Sequence, residues 1–120
     1  MKTSFICITV LCNIFFYTAA RAQKTPILKS ETIKVWGNCE TCKKRIENAA
    51  KSAGATTAMW NEDSQLLDLS YDAGKTSGKK IQEKIAASGH DTQDETANIN
   101  RYDALPGCCK YHRKDQAGNL

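Results

Sequence analysis

Proline is nearly missing from this chain of 120 residues. Pro26 and Pro106 are its only two, and neither lies around the Cys39-x-x-Cys42 pair or before a facing strand, where redox enzymes of the Cys-x-x-Cys type usually carry proline. Histidine is as scarce. His90 and His112 have no serine or carboxylate at a spacing that would make a catalytic constellation, and no glycine-rich phosphate loop is present. Charge of one sign is also lacking: 17 Lys and Arg against 13 Asp and Glu leave +4, too mild for a nucleic-acid binder, and no basic stretch is interleaved with aromatics. The length permits one modest core, which excludes a barrel or a two-domain dinucleotide enzyme. The one long apolar run, 5–17, falls short of the roughly 20 residues that a membrane span needs.

What the chain does have is six cysteines in three pairs: Cys7 and Cys12, Cys39 and Cys42, Cys108 and Cys109. The first pair lies in a segment with Lys2 at its start, the apolar run, and Ala20-Arg21-Ala22 as a small-x-small cleavage site. Residues 1–22 are therefore expected to be a signal peptide cut before Gln23. A lipoprotein signal using Cys12 is less suited, because Leu11 stands where a small residue is wanted. Export to the periplasm, or secretion, follows as an expectation, with no membrane anchor in the mature chain. In that oxidising compartment the four remaining thiols become disulfides unless a metal holds them.

Residues 23–30 read as a lead-in without periodicity. Over 31–36, Ile33 and Val35 alternate with polar residues, the pattern of a half-buried strand. From 41 to 53 the period changes to steps of three and four, with Cys42, Ile46, Ala49, Ala50 and Ala53 on one side, which predicts a helix closed by Gly54. Strands over 56–61 and 65–71 follow, then a helix over 77–88 that buries Ile81 and Ile85 and stops at Gly89. Residues 91–96 read as a weak, polar edge strand. The order predicts an α+β sandwich of ferredoxin-like type: βαββαβ, a four-stranded antiparallel sheet with two helices on one face. Residues 98–120 form a tail without helix or strand period.

Cys39 and Cys42 sit where the first strand gives way to the first helix. The helix N-terminus favours thiolate over thiol, and two thiolates with few other donors suit Cu(I), Hg(II) or another soft ion, whereas Zn(II) wants four ligands. The run Ile33-Lys34-Val35-Trp36-Gly37-Asn38-Cys39-Glu40-Thr41-Cys42, with Ile46, the Tyr71-Asp72 ending of the third strand and Ser88-Gly89, resembles the heavy-metal-associated domain. That family includes copper chaperones, metal-binding domains of copper-exporting ATPases and the periplasmic mercury-binding protein, and the likeness covers about 31–97. It implies one soft ion held by Cys39 and Cys42 and passed on by ligand exchange. The implied partner is a metal-transporting membrane protein or another exported metal-binding protein, with the chain a monomer or a metal-bridged dimer. Two departures stand out. Gly37-Asn38 replaces the usual Met-Thr or Met-His, and His90 takes a position often held by Tyr, Phe or Lys, where it is a candidate third ligand.

Leu105-Pro106-Gly107-Cys108-Cys109-Lys110-Tyr111-His112 resembles a tail found on some exported bacterial members. The stretch from Thr96 to Cys108 spans up to about 40 Å if extended, enough to return to the metal loop. The expectation is that Cys108 and Cys109 approach Cys39 and Cys42, with Tyr102 and Leu105 docking the tail. A disulfide to the motif, a separate tail site with His112, and a free tail are the alternatives. Lys43, Lys44 and Arg45, with Lys79, Lys80 and Lys84 on the second helix, are candidates for docking an acidic partner, against the plainer reading of solvated helix faces. The expected function is a non-enzymatic carrier or scavenger of Cu(I), with Hg(II) binding the alternative. From another class, a thiol-disulfide oxidoreductase remains.

Overall fold

The computed structural model describes residues 25–115. The expected signal peptide, 1–22, and the last residues of the tail lie outside them. The elements are β1 (Leu28–Lys34), α1 (Glu40–Ser52), β2 (Ala55–Trp60), β3 (Leu66–Asp72), α2 (Gly78–Ala87), α3 (Ile99–Asp103) and a final 3-10 turn, Gly107–Cys109. The sheet has the order β1-β3-β2 with both pairings antiparallel. Among the described residues no helix is long and apolar enough to cross a membrane.

Alternation decides which face of each strand is covered. Ile33, Leu67, Leu69 and Tyr71 turn toward the helices and are buried, while Thr32 and Asp68 face out and pair through a 2.7 Å hydrogen bond. Helix α1 lays Cys42, Ile46, Ala49 and Ala50 on that face. It ends because Gly54 takes a left-handed backbone (φ 106°) and returns its N–H to the Lys51 carbonyl. Helix α2 starts where the Ser77 hydroxyl accepts the Lys80 N–H at 3.2 Å and buries Ile81 and Ile85 against α1. Trp60 fills the space beside Ala58, its indole N–H donating to the Val35 carbonyl at 3.0 Å.

Three expectations need correction. The first strand begins at Leu28, inside the segment read as lead-in, because Leu28 to Lys34 pair in register with Asp72 to Leu66. The sheet has three strands, not four: the polar stretch after His90 makes a single bridge, Val35 to Thr92. Its side chains displace the ladder. Gln93 Oε1 accepts the Lys34 N–H at 3.0 Å, and the Thr92 hydroxyl bonds Gln82 at 2.7 Å and accepts the Glu95 N–H at 3.0 Å. The Thr92 N–H donates to the Glu95 carbonyl at 2.8 Å, so the chain turns off the edge after one bridge. Third, the tail is not without structure. Asn98 caps α3 through its side-chain oxygen, and the chain returns to the body.

Candidate metal centre

The loop between β1 and α1 is held from three sides. Trp36 N–H donates to the Asp91 carbonyl at 2.9 Å, the Gln65 amide donates to the Gly37 carbonyl at 2.7 Å, and His90 Nδ1 lies 2.9 Å from the Trp36 carbonyl. Gln65 holds a positive φ (57°), unusual for a residue with a side chain, while its carbonyl accepts the Val35 N–H. Gly37 has a steric reason to be glycine. A Cβ there would stand 3.0 Å from the Trp60 ring and 3.2 Å from Cys42 Cβ. The indole thus occupies the space beneath the loop.

Cys39 is the residue before α1, with extended backbone (φ −149°, ψ 176°), and Cys42 is buried in the first helical turn. Their sulfurs lie 3.6 Å apart. Across from them, Leu105 seats against Gly89, where any Cβ would be 2.9 Å from Leu105 Cδ2 and from the Arg101 carbonyl oxygen. That seating brings the 3-10 turn onto the loop. Cys109 Sγ stands 3.9 Å from Cys39 Sγ, Cys39 Sγ is 3.4 Å from the Cys108 carbonyl, and Cys108 and Cys109 sulfurs are 4.0 Å apart. The sulfurs of Cys39, Cys108 and Cys109 all lie within 4.8 Å of one another. All four thiols are free; Cys42 and Cys109 are buried, Cys39 half-buried and Cys108 exposed.

The environment separates the thiols chemically. Partial burial pushes Cys39 up, but the backbone N–H groups of Cys42 and Thr41 and the neighbouring thiols outweigh it, bringing Cys39 down to about 7. Burial and the adjacent thiols push Cys109 upward. Cys39 is therefore a readier thiolate than Cys109, which would give up its proton only where an ion compensates the charge.

The tail is anchored largely by polar contacts. Asp91, fully buried, pairs with Arg113 at 2.7 and 3.1 Å and accepts the Ala97 N–H at 2.8 Å, while Arg113 also donates to the Ala97 carbonyl. The Tyr111 hydroxyl donates to the Gly89 carbonyl at 2.7 Å and accepts the Asp91 N–H at 2.8 Å; the Tyr102 hydroxyl donates to the Tyr111 carbonyl at 2.7 Å. The His90 ring stacks on Tyr111 with centroids 5.3 Å apart.

His90 is not in the sulfur group. Since a carbonyl only accepts, Nδ1 carries the proton, and Nε2 is buried with no partner among the described residues. Burial, aided by the Arg45 charge, lowers His90 to about 4, so its ring is neutral. His112 is exposed.

The six basic candidates do not form one face. Lys43 is engaged by Glu47 and by the Trp60 carbonyl, both at 2.8 Å, and Lys79 stands 3.9 Å from Glu83. Lys80 is exposed on α2. Only Lys44, Arg45 and Lys84 come together, with Arg101, along a groove of about 710 Å³ between α1 and α2 that no acidic residue lines. Sequence reasoning missed Gln65 and the Asp91–Arg113 pair. Their polar periodicity resembles any loop, and their partners lie far along the chain.

No family model matches the chain, and no curated protein does. Solved structures do. A CopZ metallochaperone shares 27% identity over 53% of this chain and 98% of its own, with a TM-score of 0.51. A proposed copper-ion-binding protein from Bacillus anthracis str. Ames shares 22% identity over 57% of this chain and all of its own length, with a TM-score of 0.54. The chain is thus similar in fold to small metal-handling domains, and the described residues include a cysteine cluster able to hold an ion.

Proposed function

We propose that the chain is an exported member of the heavy-metal-associated family that binds one soft ion, Cu(I) foremost, and hands it on by ligand exchange without catalysing a reaction. The carrying observation is the cysteine cluster: Cys39 has Cys42 at 3.6 Å and Cys109 at 3.9 Å. Three or four sulfurs within a few ångströms suit a soft ion better than a bare pair does, because thiolate ligands select Cu(I) over harder metals. A set of four extends the range to tetrahedral ions such as Zn(II), while Hg(II) is satisfied by two. The half-buried Cys39 and exposed Cys108 supply the entry side, where an incoming thiolate from a partner displaces a tail sulfur first. That partner is a metal-transporting membrane protein or another exported metal-binding protein.

The test measures Cu(I) stoichiometry and affinity for the chain and for Cys108→Ser/Cys109→Ser. The double variant keeps one ion on Cys39 and Cys42 but binds it at least tenfold more weakly, the scale expected for a lost ligand interaction of about 1.4 kcal/mol or more. Unchanged affinity and stoichiometry would leave the pair alone as the site. Insulin reduction by metal-free protein separates the redox reading, since turnover would count against a carrier. N-terminal sequencing of protein from the periplasm checks cleavage before Gln23.

A further inference from the structure

The missing fourth strand leaves a consequence at the sheet's edge. In β1, Lys34 turns its N–H and C=O outward to Gln93, whereas Ile27 and Val35 turn a backbone group toward the other side, bonding Ala73 and Gln65. Strand alternation then aims the N–H and C=O groups of Leu28, Ser30 and Thr32 outward as well. Among the described residues no strand pairs with them, because the chain leaves the edge just after Thr92. A groove of about 740 Å³ runs alongside, lined by Lys29, Glu31, Gly78, Gln82, Gln93 and Asp94.

We propose that this edge pairs with β1 of a second copy, antiparallel about a two-fold axis through Ser30, joining two three-stranded sheets into one of six. The register follows from the residues. Centring on Ser30 sets Ser30 against Ser30 of the second copy and Leu28 against its Thr32, so every outward N–H and C=O of the three finds a partner. The same register sets Lys29 opposite Glu31 of the second copy, and Glu31 opposite its Lys29, two attractive cross-strand pairs from one symmetry operation. Shifting the axis to Glu31 would oppose two glutamates. Lys29 and Glu31 already lie 2.9 Å apart within one strand, so four charges would alternate in a small quartet. Leu28, 71% exposed, would gain cover from the facing Thr32. The pairing stops short of Lys34, where Gln93 occupies the edge.

The other edge, β2, offers no such match. It carries no charged residue, and its register shifts between Ala55 and Thr57, an irregularity of the kind that twists an edge away from pairing. The dimer proposed on β1 is independent of metal and places the two cysteine loops away from the contact.

Sedimentation of the full chain over rising concentration tests this, with reductant and chelator present so that neither disulfide nor metal bridges two copies. The expected result is a monomer–dimer equilibrium that Glu31→Lys weakens by about tenfold or more, two attractive pairs having turned repulsive. Lys29→Glu alone should do the same, from a more exposed position. The double variant Lys29→Glu/Glu31→Lys restores pairing, and Ser30→Pro abolishes it by removing an outward N–H that β3 does not use. Thermal melts of each variant establish that the fold survives. A monomer at every concentration overturns the proposal and leaves the edge to a strand of another protein. A dimer indifferent to all four variants overturns it equally, by placing the contact elsewhere.

Discussion

The sheet-and-helix body and the returning tail are held by different forces. The body joins its layers through apolar burial: Ile46, Trp60, Leu67, Ile81 and Ile85 are almost wholly removed from water. The tail adds Leu105, Cys109, Ala97 and the rings of Tyr102 and Tyr111 to that, and otherwise hangs on the Asp91–Arg113 pair and on hydroxyl and lysine bonds to carbonyls. Apolar burial is non-directional and indifferent to pH. A buried ion pair is directional and fails sharply when one partner is lost. The placement of the body's thiols, Cys39 and Cys42, should therefore outlast that of the tail's, Cys108 and Cys109, under most perturbations.

The comparison breaks hardest at Trp60. Trp60→Ala empties the space between β2 and the Gly37–Cys39 loop and should cost about 3–5 kcal/mol of global stability, read as a lower denaturant midpoint. Tail and body then unfold together. Arg113→Ala leaves Asp91 buried and unpaired, a loss of about 3 kcal/mol that should fall on the tail alone. Hydrogen exchange would show faster exchange over 97–113 with β3 unchanged. Equal loss of protection in β3 would refute the division.

Acid sharpens the same contrast at a smaller scale. His90 lies at about 4 when folded against an ordinary 6.5, because burial disfavours its charged form. Burial alone would raise Asp91, but its bonds to Arg113 and Ala97 outweigh it and hold the carboxyl below its ordinary value. In both cases the unfolded chain takes up protons before the folded one. The stability these two groups contribute is thus complete above about pH 6.5, falls toward pH 4 by up to about 3 kcal/mol as His90 is protonated only when released, and falls further below as Asp91 follows. Denaturation midpoints measured at about pH 7 and about pH 5 check the sign: a midpoint that rises on acidification contradicts it.

How legible these regions were differs for the same reason. Helix α1 could be read residue by residue, since Cys42, Ile46, Ala49 and Ala50 recur at helical spacing and Gly54 stops them. Strand β3 was equally plain from Leu67, Leu69 and Tyr71. The fourth strand was misread because its polar residues carry no period that separates a ladder from a turn. Thr92, Gln93 and Asp94 satisfy their neighbours through Gln82 and Lys34 instead. The dilution of the six lysines and arginines by Glu47 and Glu83 is legible on the helix faces, and the structure places Glu47 at 2.8 Å from Lys43 and Glu83 at 3.9 Å from Lys79.

By itself the sequence determined the elements from β1 to α2, their order and the thiol pair at the start of α1, since these depend on residues within one or two turns of each other. Only the tertiary structure decided that Cys109 stands beside Cys39, 70 residues away, and that Trp60 rather than the loop itself fills the space under Gly37. Local spacing encodes periodicity and capping. Long-range proximity depends on which buried groups find partners: here Asp91, whose charge, once desolvated, is matched by Arg113 of the returning tail.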